Sequence, residues 1–137
     1  MKVIKRSGEY AKLDLEKIHK VIEWAAKGLK HVSVSEVELK AKFVIYDGIK
    51  TSELHETLIK AAADLISIES PDYAILAGRL NILYLRKKAF GKFEPPALFS
   101  HVETLVKAGK YADHLLSDYT EDEFSQMDEM IVHDRDL

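Results

Sequence analysis

The sequence predicts a mainly α fold: a small N-terminal β-hairpin, then four helices that pack as a bundle, then additional short helices. Three observations predict it. Strand-like segments, Val3 to Lys5 and Tyr10 to Leu13, stand only at the start, around the loop "RSGE". From Leu15 onward, apolar residues recur at helical spacing. Helix start and stop residues punctuate that pattern at regular intervals.

Taken in order, Asp14 stands where the N-cap of a first helix belongs. Ile18, Val21, Ile22, Ala25 and Leu29 give that helix an apolar stripe from Leu15 to Leu29. Ser33 and Glu36 have the spacing of a capping box for a second helix striped by Val37, Ala41, Val44 and Ile45. Asp47-Gly48 is expected to end it. A third helix begins at Thr51 or Ser52, its face built from Leu54, Leu58, Ala61, Ala62 and Leu65. Ser70 as N-cap and Pro71 at the first helical position open a fourth. Ile75, Leu76, Leu80, Ile82, Leu83 and Leu85 make that helix apolar nearly all round, which places it centrally. Arg86, Lys87 and Lys88 then suit its C-terminus. A fifth helix carries Leu98, Val102, Leu105 and Val106 and stops at Gly109. A short piece at "ADHLLSDY" and a last helix with Phe124, Met127 and Ile131, capped by Thr120 and Glu123, complete the chain.

The net charge of −3 conceals an asymmetry. Residues 1–91 hold 16 Lys/Arg against 12 Asp/Glu, and residues 92–137 hold 4 against 11. The change falls at "FGKFEPPALF", where Gly91 and Pro95-Pro96 break the helical pattern. Two domains are expected, a basic one over 1–91 and an acidic helical one over 92–137. The 137 residues are enough to bury a core without disulfides. The sequence contains no cysteine, which excludes a disulfide framework, a cysteine-ligated metal and thiol chemistry in this chain. No apolar run reaches the ~20 residues of a membrane span, and the N-terminus lacks a signal-peptide core. The expectation is a cytoplasmic protein with no membrane partner and no nucleic-acid partner.

Most catalytic signatures are absent. "HETLI" lacks the second histidine of HExxH, the six histidines form no metal constellation, and "DGIKTS" lacks the spacing of a P-loop. No metal site is expected. The acidic stretches "YTEDEF" and "MDEMIVHDRD" read as a solvated face. What remains is cationic. Lys5 and Arg6 flank a tight turn, and Lys12 and Lys17 follow at the entrance of the first helix. Free N–H groups and the positive helix end favour phosphate there, and an anion would relieve the conflict between Lys17 and the dipole. Basic residues beside a turn are also commonly just solvated, so spacing alone leaves both readings open. Likewise Thr51 and Ser52 read as caps, His55 as a surface or half-buried histidine, Lys87 as a C-terminal cation and Trp24 as packing.

The stretch "VIKRSGEYAKLDLEKI" resembles the signature of the ATP-cone, a regulatory nucleotide-binding domain. "DGIKTSELHETLIKAAADLIS", "PDYAILAGRL", "LRKKAFGKFEPPAL" and "GKYADHLLSDYTEDEF" extend the resemblance to the beginning of the large (alpha) subunit of class I ribonucleoside-diphosphate reductases. The resemblance implies an overall-activity switch: ATP as activator, dATP as inhibitor, bound with Mg2+, and no cofactor in catalysis. It implies as partners the small (beta) subunit and a second alpha subunit. It also implies that the catalytic barrel and its cysteines lie outside this chain, which is then an inactive N-terminal regulatory portion.

By resemblance, Lys5 binds phosphate with Arg6 nearby. The stretch Ala11, Lys12, Leu13, Asp14, Leu15, Glu16 and Lys17 wraps the nucleotide, Lys17 meeting phosphate and Asp14 a polar edge of base or sugar. Val3 and Ile18 supply apolar walls. Thr51 and His55 line the pocket, His55 near the ribose, and Lys87 reaches the phosphates. Ala11 departs from the acidic or polar residue of many relatives, which leaves a backbone contact there. Trp24 and Phe90 are candidates to line an enlarged site. Two alternatives are a degenerate cone acting as a helical interaction module and a stand-alone transcriptional regulator. The absence of a cysteine-rich zinc ribbon argues against the second.

Overall fold

The computed structural model describes residues 1–137. Its elements run β1 Lys2–Ile4, β2 Tyr10–Lys12, α1 Leu15–Ala26, α2 Val34–Lys42, β3 Ile49–Lys50, α3 Thr51–Ala63, α4 Tyr73–Phe90, α5 Leu98–Lys107, α6 His114–Asp118 and α7 Glu121–Glu129, then a 3-10 turn at His133–Asp136. Packing divides them into two units, Met1–Leu85 with Leu137, and Arg86–Asp136. In sequence the division falls inside α4.

In the first unit, β1 is the middle strand, antiparallel to β2 and parallel to β3. Val3 pairs with Ala11 on one side and Ile49 on the other. Val3 and Ile49 are both buried against the helices. The hairpin closes one residue earlier than expected. Lys5 and Arg6 leave the strand and enter the turn, where Lys5 N–H donates to the Glu9 carbonyl at 2.8 Å and Gly8 N–H to the Lys5 carbonyl at 2.9 Å. Gly8 sits at φ +87°, a conformation that favours a residue without Cβ.

The bundle follows from the apolar stripes. Ile18, Ile22 and Ala25 of α1, Val37 and Ala41 of α2, Leu54, Leu58, Ala61 and Ala62 of α3, and Tyr73, Leu76, Ala77 and Leu80 of α4 meet in one core. Each large side chain buried there, such as Ile22 or Leu76, contributes about 1.5–3 kcal/mol. Three helix boundaries differ from expectation. Helix α1 stops at Ala26 instead of Leu29, because Gly28 turns left-handed at φ +77°. Helix α2 stops at Lys42, where the N–H groups of Val44 and Ile45 both return to the Ala41 carbonyl. Asp47-Gly48 therefore does not end α2. It docks the chain on β1: Lys2 N–H donates to Asp47 Oδ1 at 2.6 Å and Gly48 N–H to the Lys2 carbonyl at 2.8 Å. Pro71 and Asp72 form a turn before α4, which starts at Tyr73. Helix α4 is also less central than its composition suggests, since Ile75 and Leu85 are exposed.

In the second unit, α5 packs on α6 and α7. Val102 and Phe124 are buried, and the Phe124 ring meets Phe99 at 5.7 Å and Tyr119 at 6.0 Å. Leu98, Leu105 and Val106 are half-buried. Thr120 and Glu123 form the expected capping box on α7, while Ile131 lies beyond its end and is exposed. Arg86 is buried, donating to Asp136 at 2.8 Å and the His133 carbonyl at 2.9 Å, with the Phe93 ring 4.9 Å away. No helix is long and apolar enough to cross a membrane.

Candidate functional site

Strand register sorts the expected residues into two groups. Antiparallel pairing sets Lys12 opposite Lys2, so the step from β2 into α1 lies beside Met1, whose carbonyl accepts the Leu13 N–H at 3.0 Å. Parallel pairing sets Lys50 opposite Ile4, so α3 begins on the Lys5 side. The two helix starts therefore open at opposite ends of a three-residue strand, about 10 Å long.

The start of α1 is already complemented. Asp14 Oδ1 accepts the Lys17 N–H at 3.1 Å, and its other oxygen lies 3.7 Å from Lys17 Nζ. Glu16 pairs with Lys20 at 2.7 Å. The conflict between Lys17 and the dipole is thus eased within the chain by Asp14. Leu15 is exposed, Leu13 half-buried, and Lys12 extends from the β2 edge into solvent. Val3 and Ile18 belong to the buried core, and Ala11 is half-buried opposite Val3.

The start of α3 differs. Its N-cap is Lys50, no side chain caps it, and Thr51 is the first helical residue instead of the cap. Unsatisfied N–H groups at a helix start attract anions. Lys50 and the turn residues Lys5 and Arg6 add positive charge on that side; Lys5 is held only by an exposed ion pair to Glu9 at 3.8 Å. One turn on, His55 is half-buried with its ring 6.2 Å from Tyr84. The Tyr84 hydroxyl donates to Glu56 at 2.7 Å. That bond, then burial and the Glu56 charge, push the Tyr84 hydroxyl above its usual range, while the nearby Arg6 charge pulls it down. His55 and Tyr84 are therefore neighbours across α3 and α4.

Lys87 lies half-buried in the last turn of α4, in the second unit. Phe90, also there, packs edge-on against His101 at 5.1 Å. Trp24 lines a shallow concavity of about 540 Å³ with Lys20, Glu23, Ala26, Lys27 and Val34. Of these six, Trp24 is the candidate for lining an enlarged site; Lys20, Glu23, Ala26, Lys27 and Val34 are not among the residues expected to bind nucleotide. Sequence reasoning missed Lys50, Glu56 and Tyr84. Lys50 belongs to a strand of two residues, too short to leave a pattern, and the Tyr84–Glu56 pair joins residues 28 positions apart.

Residues 1–88 match the ATP cone domain family. Over 135 residues the chain is 63% identical to ribonucleoside-diphosphate reductase 1 subunit alpha of Salmonella typhimurium and 61% identical to that of Escherichia coli. It is 41% identical over 137 residues to the ribonucleoside-diphosphate reductase alpha subunit of enterobacteria phage T4. Each match covers 98% of this chain and 18% of the relative.

Proposed function

The chain belongs to the ATP-cone family, and from that premise we propose that it is the overall-activity switch of a ribonucleoside-diphosphate reductase large subunit, binding ATP as activator and dATP as inhibitor. The observation that carries the reading is the pairing of an uncapped α3 start with Lys5, Arg6 and Lys50 at one end of β1. A nucleotide is an elongated molecule, neutral at the base and charged at the phosphates. The two ends of the sheet differ in the same sense. Phosphates belong with Lys5, Arg6 and Thr51, the ribose near His55, and the base toward Ala11 to Lys17, where Asp14 offers a polar edge.

On this reading Lys17 faces the base and not the phosphate that the resemblance gives it. No group of three or more His, Cys, Asp or Glu is placed to hold a metal ion. Magnesium therefore enters on the phosphates, as it commonly does at nucleotide sites. The chain has no cysteine and is not itself the reducing centre. Its output is conformational: a ligand shifts an equilibrium only by its differential affinity for the two states. The small subunit and a second large subunit are the partners that would sense that shift. Exposed Leu39, Phe43, Val44 and Tyr46 at the end of α2 offer an apolar surface for such contact.

Isothermal titration of this chain with ATP, dATP and GTP in magnesium buffer tests the proposal. Adenine-specific binding is expected, dATP at least as tight as ATP. Absence of binding by all three nucleotides overturns it.

A further inference from the structure

We propose that Tyr84 is a positioning residue of the effector site, setting the ATP-to-dATP preference through the ring of His55. The inference rests on the function proposed above and adds a residue outside its ligand set. Tyr84 reaches from α4 to two consecutive residues of α3. Its ring lies against His55 at 6.2 Å, inclined by 36°, and its hydroxyl donates to Glu56 at 2.7 Å. Consecutive helical residues point about 100° apart. One aromatic side chain therefore spans both, walled by the first and tethered by the second.

The tether distinguishes positioning from filling. A half-buried imidazole keeps a choice of rotamers unless a neighbour removes it. A ring fixed at its far end by a charge-assisted hydrogen bond removes that choice more firmly than a loose apolar contact. The ribose is where ATP and dATP differ, so the orientation of the imidazole facing it sets the balance between the two nucleotides, whichever binds tighter.

The experiment titrates ATP and dATP into this chain and into Tyr84→Phe, Glu56→Gln, Tyr84→Ala, His55→Ala and the His55→Ala/Tyr84→Ala double variant. The ratio of the two Kd values is expected to move about threefold or more in Tyr84→Phe and Glu56→Gln, in the same direction, and further in Tyr84→Ala. In the His55→Ala background, Tyr84→Ala is expected to leave the ratio within about 1.5-fold. A ratio unmoved by Tyr84→Phe and Glu56→Gln overturns the inference, as does a full shift that persists without His55. If Tyr84→Ala fails to fold, the other two single variants carry the test. If the unaltered chain binds neither nucleotide, the functional reading fails as well. Binding of both with a ratio indifferent to Tyr84 removes this inference alone.

Discussion

Tyr73 completes the N-cap of α2 from another helix: its hydroxyl accepts the Ser33 backbone N–H at 2.9 Å. The same hydroxyl donates to Glu36 at 2.8 Å. In an ordinary capping box the glutamate takes that N–H directly, as Glu123 takes the Thr120 N–H at 2.8 Å on α7. On α2 a buried tyrosine stands between the two. Tyr73→Phe keeps the ring and strands the Ser33 N–H. The expected loss is about 1–2 kcal/mol, measured as a lower urea midpoint with an unchanged m-value. An unshifted midpoint would show that water replaces the hydroxyl without penalty.

Alkaline pH should destabilise the first unit. The hydroxyls of Tyr46, Tyr73 and Tyr84 are all raised above the ordinary value of 10.0. Hydrogen bonding to Glu53 is the main cause for Tyr46, burial for Tyr73, and hydrogen bonding to Glu56 for Tyr84. Between the unfolded and folded values the native state holds the proton and the unfolded state does not. Stability present below the unfolded value is therefore lost as pH rises through the folded ones. Denaturant melts from pH 9 to 11 should show that fall, and a triple Tyr→Phe variant should flatten it.

Lys5→Ala should weaken nucleotide binding about tenfold or more, the usual consequence of losing one hydrogen bond to a charged group. Leu39→Ala, on exposed α2 surface, should leave the affinity unchanged. Calorimetry at two salt concentrations checks this. The difference between Lys5→Ala and the parent chain should narrow at high salt, because exposed charges are screened.

Arg86→Ala should loosen the end of the second unit. It removes two hydrogen bonds and the packing on Phe93, at a loss of about 2 kcal/mol. Asp136→Asn should cost less, since Asp136 is half-exposed and the His133 carbonyl still accepts from Arg86. Amide hydrogen exchange over residues 131–137 should accelerate strongly in the first variant and slightly in the second. Equal acceleration in both would assign the whole effect to the Asp136 pair.

Legibility in the sequence followed the range of the interactions. The Asp14 cap, the Thr120–Glu123 box and the Leu54–Leu58–Ala61–Ala62 face act within one or two turns and could be seen in the residues. So could the mainly helical class and its small N-terminal sheet. Boundaries set by distant partners could not. Asp47-Gly48 has the chemistry of a helix stop, yet its hydrogen bonds go to Lys2, 45 residues earlier. Ser33 and Glu36 have the spacing of a box, yet Tyr73 from α4 enters between them. For the candidate site, the basic turn and the helix-start residues were visible one by one. Their distribution between two ends of a sheet became visible only with the parallel pairing of β1 and β3.

Lys50 ends β3 and Thr51 begins α3 with no residue between them. Motion is commonly absorbed in loops between elements, and this junction has no loop. A displacement of β3 by a group wedged against the Lys5 turn would be delivered along the axis of α3 like thrust along a rod. The far end of that rod is Ala63, about 20 Å away at 1.5 Å per residue. A small movement at the sheet would then reappear at the opposite pole of the bundle with little attenuation.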